Sequence, residues 1–154
     1  QKKLAILKDS NSGAFAIIGG LVYILLYFAA MLTFNSAVKI YILAISYMLI
    51  RAYSALALIV FKNARGSGLA FEFSKKSLIY TNRAVLIIFI LLGSAAMIIV
   101  NVNYGLLCAI STFLVFVYYR VKSFEEFGGI TGDLAGYFLQ LAELVVVLVL
   151  ALAP

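Results

Sequence analysis

The stretch that decides the fold is GGITGDLAGYFLQLAELVVVLVLALAP, residues 128–154. It opens with a polar turn containing Gly128, Gly129, Thr131, Gly132 and Asp133, then runs into nearly unbroken apolar sequence. That run is about 20 residues long, the length of a membrane-crossing helix. One carboxylate, Glu143, lies inside it. A charge at such a depth is expensive, so its partner has to come from elsewhere in the chain.

The rest of the sequence has the same character. Of 154 residues, 66% are hydrophobic and 12% charged, with a mean hydropathy of +1.14. That balance excludes a soluble globular domain and predicts an all-α, polytopic bundle in a lipid bilayer, with residues 1–154 forming a single membrane domain. Five spans are expected, at about Ala14–Phe34, Ile40–Phe61, Ala84–Val100, Tyr104–Tyr119 and Ala135–Ala153. With one proline and no repeat of fixed period, the chain does not read as low-complexity. Histidine is absent, which removes the commonest general base and zinc ligand, and the lone Cys108 in an apolar run reads as a packing residue. The sequence starts at Gln1 without a signal-peptide pattern, and so reads as the later part of a longer protein.

Charge sets the orientation, because lysine and arginine are retained on the cytoplasmic side. Lys2, Lys3 and Lys8 precede the first span; Lys62, Arg65, Lys75, Lys76 and Arg83 lie between the second and third; Arg120 and Lys122 lie between the fourth and fifth. Only Lys39 falls on the other side, and Arg51 falls inside a span. Topology therefore accounts for the net charge of +6, and no nucleic-acid partner is expected. The same assignment gathers three polar stretches, LKDSNSG, NARGSG and GGITGD, on the cytoplasmic face.

Arg51 and Glu143 are each about 17 Å from their helix ends, at about 1.5 Å per residue. Matching depth predicts that they pair. The pair can be read as an ion pair fixing helix register or as part of a polar cavity, and a protonated Glu143 bonded to a hydroxyl is a third reading. Asp133, Gly136, Tyr137, Gln140 and Glu143 recur at helical spacing and form one polar stripe, which is expected in the bundle interior or in a wet cleft. Tyr47, Arg51 and Ser54 form the stripe expected to face it. At the rim, glycines let backbone N–H groups turn toward a ligand, and Asp133 stands at a helix N-terminus. An ordinary capped helix start has the same appearance. Three such motifs on one face, together with a polar cleft, suit a phosphate-bearing substrate and a divalent metal.

In combination these motifs resemble the cobalamin synthase family, the adenosylcobinamide-GDP ribazoletransferases, which are polytopic membrane enzymes. LAILKDSNSGAF is similar to the family's K-D-S-x-x-G segment. LIRAYS carries the in-membrane Arg51, ARGSGLAF fits R-x-x-G, and GGITGDLAGYFLQLAE fits G-G-x-T-G-D-x-x-G followed by an in-membrane glutamate. Ala16, where many relatives have glycine, and Tyr137, where a small residue is usual, depart from the pattern. The resemblance implies catalytic roles for Asp133 and Asp9, and phosphate or substrate contacts from Lys8, Ser10, Arg65, Gly68, Gly129, Thr131 and Gly132. The helical stripe gives an intramembrane cleft of Arg51, Glu143, Gln140 and Tyr137; of these the resemblance covers Arg51 and Glu143, with Gly13 and Gly136 as further matches.

It also implies Mg2+ as cofactor, held in part by Asp133 and Asp9, with the main ligands in an acidic D-G-L-A-D-x-x-D-G stretch upstream of this chain. The implied substrates are corrinoids and nucleotides, in the inner membrane of a prokaryote. On that reading residues 1–154 alone are inactive, the missing N-terminal segment is a partner, and an oligomer is compatible. A CDP-alcohol phosphotransferase would handle similar chemistry, but its D-x-x-D-G-x-x-A-R pattern is not in this sequence. A transporter would show broken helices or paired repeats.

Overall fold

The computed structural model describes residues 13–64 and 79–153. It contains five helices, α1 (Ala14–Leu32), α2 (Ala37–Val60), α3 (Ile79–Val100), α4 (Val102–Phe127) and α5 (Gly132–Leu152). Each is long and apolar enough to cross a bilayer. Among the described residues there is no strand, only a single parallel bridge between Asn63 and Ile130.

Side-chain caps start three of the helices. Ser36 Oγ accepts from Val38 N at 3.2 Å for α2, and Asn101 Oδ1 accepts from Tyr104 N at 3.0 Å for α4. Thr131 Oγ1 accepts from Leu134 N at 3.3 Å for α5. Each bond satisfies one of the N–H groups that a helix start leaves without an intrahelical partner.

Two boundaries differ from expectation by more than three residues. The third helix begins at Ile79 rather than near Ala84, and the fourth continues to Phe127 rather than ending near Tyr119. Hydropathy marks only the part of a helix that is buried in lipid. The backbone of α4 goes on winding through Arg120, Lys122 and Glu126, where Lys122 Nζ and Glu126 Oε1 pair at 3.3 Å one turn apart. It stops at Gly128, whose φ of 71° is left-handed. Gly128 N donates to Phe124 O at 3.0 Å and Gly129 N to Ser123 O at 3.2 Å, closing the last turn.

The short connectors make neighbouring helices antiparallel. Helix α2 packs on α3, α4 and α5, while α1 leans on α5. The core runs along α2 and α5 through Ile42, Ile50, Ala57, Phe138, Ala142 and Val146, all fully buried. Cys108 is also fully buried, with a free thiol, in line with a packing role. By contrast Ala30 is the one buried residue of α1; Tyr27 and Met31 pack partly against the core, and most of its other apolar side chains are exposed. In a bilayer that surface is solvated by lipid or by further protein.

Candidate functional site

The end of the bundle that carries the glycine-rich turn is held by backbone hydrogen bonds between two segments far apart in sequence. Ala64 N donates to Ile130 O at 2.8 Å, and Ile130 N donates to Lys62 O at 2.9 Å. This bridge brings the start of KNARGSG against GGITGD. Gly129 makes the approach feasible. Its φ is +156°, and a Cβ there would lie 2.4 Å from Lys62 O, closer than real Cβ contacts come. Ile130 and Thr131 are buried beneath the turn.

Aromatic rings form the floor under the bridge. Tyr53 and Phe61 come from α2 and its C-cap, Phe116 and Tyr119 from α4 and Phe138 from α5, with Tyr53 and Phe116 centroids 4.8 Å apart and Tyr119 and Phe138 5.1 Å apart. The Arg120 guanidinium lies over the Phe61 ring, 5.6 Å from its centroid, which keeps a cation at this end of the bundle.

Asp133 is exposed in the first turn of α5, where the helix dipole favours a negative group. Thr131 is the buried cap of the same helix, so its hydroxyl oxygen is engaged with Leu134 N and its hydrogen is what remains to donate. Gly132 and Gly136 have open space where a Cβ would stand. Tyr137 and Gln140 are exposed as well. From Asp133 to Gln140 the polar stripe of α5 is therefore open rather than covered by the five described helices.

At the foot of the stripe the expected pair is present. Arg51 NH1 donates to Glu143 Oε1 at 2.9 Å, joining α2 to α5 near their midpoints. The Glu143 side chain is 15% exposed and that of Arg51 62%. An unpaired charge at this depth costs about 2.5 to 3.5 kcal/mol on insertion scales, so pairing relieves both groups. Of the stripe expected to face it from α2, Arg51 meets α5 at Glu143, Tyr47 hydrogen-bonds Tyr27 of α1, and Ser54 is buried.

Lys8, Asp9, Ser10, Arg65 and Gly68 lie outside the described residues. Gly129, Thr131, Gly132 and Asp133 are together at the turn; Arg51, Glu143, Gln140 and Tyr137 follow along the open face. Two contributors were missed. Tyr27 of α1 hydrogen-bonds the Tyr47 hydroxyl, and Tyr23 and Tyr27 both lie within electrostatic range of Glu143. Their spacing of four residues on an otherwise apolar helix was the available signal. The pairing of Ile130 with residues 62–64 is a backbone contact and leaves no such signature.

Comparison with known proteins adds a second line of argument. The family model described as cobalamin-5-phosphate synthase matches residues 1–151. The chain belongs to that family. Within it, the chain is 37% identical over 155 residues to the adenosylcobinamide-GDP ribazoletransferase of Lachnoclostridium phytofermentans, covering 99% of this chain and 58% of that protein. It is 33% identical to the protein of the same name from Ectopseudomonas mendocina, covering 99% and 60% respectively. A third, from Clostridium botulinum, is 30% identical over 94% of this chain and 58% of its own length. The chain thus spans less than two thirds of the curated relatives it matches. No solved structure matches significantly. A cobalamin-5-phosphate synthase family member with five such helices is a multi-pass membrane protein.

Proposed function

We propose that the whole protein is a membrane-bound transferase that joins adenosylcobinamide-GDP to α-ribazole, or to its 5'-phosphate, in the last steps of vitamin B12 biosynthesis. A ribose hydroxyl attacks the cobinamide-bearing phosphorus. The new O–P bond forms as the bond from that phosphorus to the bridging diphosphate oxygen breaks. GMP leaves with that oxygen, and the hydroxyl proton passes to a nearby carboxylate or water. Such a reaction asks a protein mainly for positioning and neutralisation of developing charge.

The observation that carries this reading is the backbone bridge between residues 62–64 and Ile130. It supports the convergence of two phosphate-suited segments at one rim, above an open glycine face. In this reading Asp133 orients the attacking hydroxyl, and glycine N–H groups with the Thr131 hydroxyl cradle phosphate oxygens. In the same reading Arg65 and Lys8 clamp phosphate oxygens. Arg51 and Glu143 hold the face from below.

The donor set is compatible with Mg2+. An exposed carboxylate at a helix N-terminus is the kind of ligand that this ion takes, one or two per site, alongside substrate phosphates and water. Asp133 would be that ligand, with Asp9 and acidic residues of the remaining polypeptide completing the set. When bound, the ion neutralises diphosphate charge. Residues 1–154 alone are inactive in this reading. The rim faces the cytoplasm of a prokaryotic cell, across its inner membrane. Lys62, Arg83, Arg120 and Lys122 at the turn end, against Lys39 at the other, support that orientation.

The test uses the full-length protein in membranes, with adenosylcobinamide-GDP, α-ribazole phosphate and Mg2+, and measures GMP release. Asp133→Asn is expected to abolish transfer while insertion into the membrane is unchanged. Retained transfer overturns the role of Asp133, and no GMP release from the unmodified protein overturns the function.

A further inference from the structure

The mid-membrane arginine is only half accounted for. A guanidinium carries five N–H donors, and among the described residues Arg51 uses one of them, toward Glu143 Oε1. Its side chain stays 62% exposed. The neighbouring positions on α5 are open too: Gly132 and Gly136 have empty space above them, one turn apart, and Gln140 is exposed one turn further along. Lipid is a poor cover for this combination, since hydrocarbon cannot accept hydrogen bonds and leaves amide and guanidinium groups unsatisfied. Helix α1 reaches Glu143 with Tyr23 and Tyr27 but leaves the turn-end half uncovered, where its residues 14–22 are all exposed.

We propose that this face, with Gly132, Gly136 and Gln140 on α5 and Arg51 on α2, is the seat of a transmembrane helix from the remaining part of the same polypeptide. Roughly two fifths of the length of the relatives lies outside this chain, enough at about 20 residues per span for further membrane helices. The two glycines, four residues apart, form the small-residue strip that lets a second helix backbone come close in a membrane. Charge specifies what that helix brings. Glu143 already neutralises Arg51, so a further carboxylate would leave a net negative charge at mid-depth. The incoming helix supplies neutral acceptors, hydroxyl or amide oxygens, to the free guanidinium N–H groups, and small residues opposite Gly132 and Gly136.

The experiment uses the full-length protein in native membranes with a photo-crosslinking amino acid, p-benzoylphenylalanine, in place of Gln140. After irradiation and proteolysis, mass spectrometry reads where the adduct formed. The expected adduct joins position 140 to a peptide of the same polypeptide from outside residues 1–154. An adduct with lipid, or with a second copy of the protein, overturns the proposal. A second measurement guards against a perturbing probe. Gln140→Cys, in a Cys108→Ser background, is treated with a membrane-impermeant charged thiol reagent. At least tenfold slower labelling than an exposed loop cysteine is expected. Labelling at the loop rate means a water-filled cleft and overturns the proposal. Neither readout uses substrate, so the outcome is separate from that of the transferase reading.

Discussion

The two ends of the bundle are built by different means. At the end away from the glycine-rich turn, α3 passes to α4 through one residue, Asn101, whose side chain caps α4. Gly105 lies so close to the preceding helix that a Cβ would be 2.4 Å from the Met97 carbonyl carbon and oxygen. Lys39 Nζ donates to Ala153 O at 3.0 Å and lies over the Tyr104 ring. Helix ends there are tied to helix ends. At the turn end the chain segments are longer, and what joins them is a two-bond backbone bridge resting on an aromatic floor. The first arrangement fixes the frame. The second holds loops in register where a ligand can reach them, a division of labour common to folds that carry function on loops.

If that division is right, equivalent insults at the two ends have different consequences. Gly129→Ala is the largest expected effect. It forces a Cβ against the Lys62 carbonyl and a side chain into a backbone region that favours glycine. The bridge has to open, and displacement of groups near the reacting atoms by about 1 Å costs on the order of 100-fold in rate. Transfer is therefore expected to fall about 100-fold with helix content unchanged by circular dichroism. Gly105→Ala is the mirror experiment. The clash is again with backbone, so overpacking is expected to cost about 3 kcal/mol, read as a lowered Tm in detergent. The folded fraction should keep its rate per molecule. If Gly105→Ala instead lowers turnover with stability intact, the two ends are coupled and the comparison fails.

The third experiment lies between the ends. Arg51→Leu and Glu143→Leu each strand one charge at mid-membrane, whereas the double replacement strands none. An unpaired charge at this depth costs about 2.5 to 3.5 kcal/mol on insertion scales, so each single change is expected to cost about 2 to 3 kcal/mol, and the double less than the sum of the two. Stability of the three variants in nanodiscs by chemical denaturation measures the coupling. Strict additivity would mean that the 2.9 Å contact contributes nothing.

Much of this was legible in the sequence because bilayers impose simple rules. Apolar length gave the five spans, and the cost of a charge in hydrocarbon predicted the pairing of Arg51 with Glu143. Hydropathy stopped informing where the lipid stops. The extension of α4 to Phe127 is held by backbone hydrogen bonds and a Lys122–Glu126 pair, neither of which is apolar. The Tyr27–Tyr47 hydroxyl contact needed the relative rotation of α1 and α2, which no single helix pattern contains. The turn itself was ambiguous for a physical reason. Thr131 caps α5, and the residue types that cap a helix are also those that cradle an anion. What distinguishes the turn is its backbone bridge to residues 62–64, and backbone pairing carries little residue-type information.

The smallest expected effect is at Lys39, and it tests how the closed end is stabilised. A cation in the first turn of α2 faces the positive end of that helix dipole, an unfavourable placement. Two contacts oppose it: the Ala153 carbonyl, at the negative end of α5, and the face of Tyr104, 5.2 Å from the ammonium. A hydrogen bond from a charged donor nets about 1.5 to 3 kcal/mol and a cation–π contact about 0.5 to 1. Against them stand the dipole penalty and the desolvation of a lysine that is only 7% exposed. Lys39→Met keeps the aliphatic volume and removes both sides of that balance. The net loss is expected to be about 1 kcal/mol, a Tm lowered by a few degrees in detergent with turnover unchanged. A Tm that rises instead would mean that burial of the charge outweighs its two contacts, and that the rigidity of this end rests on Asn101 and Gly105 alone.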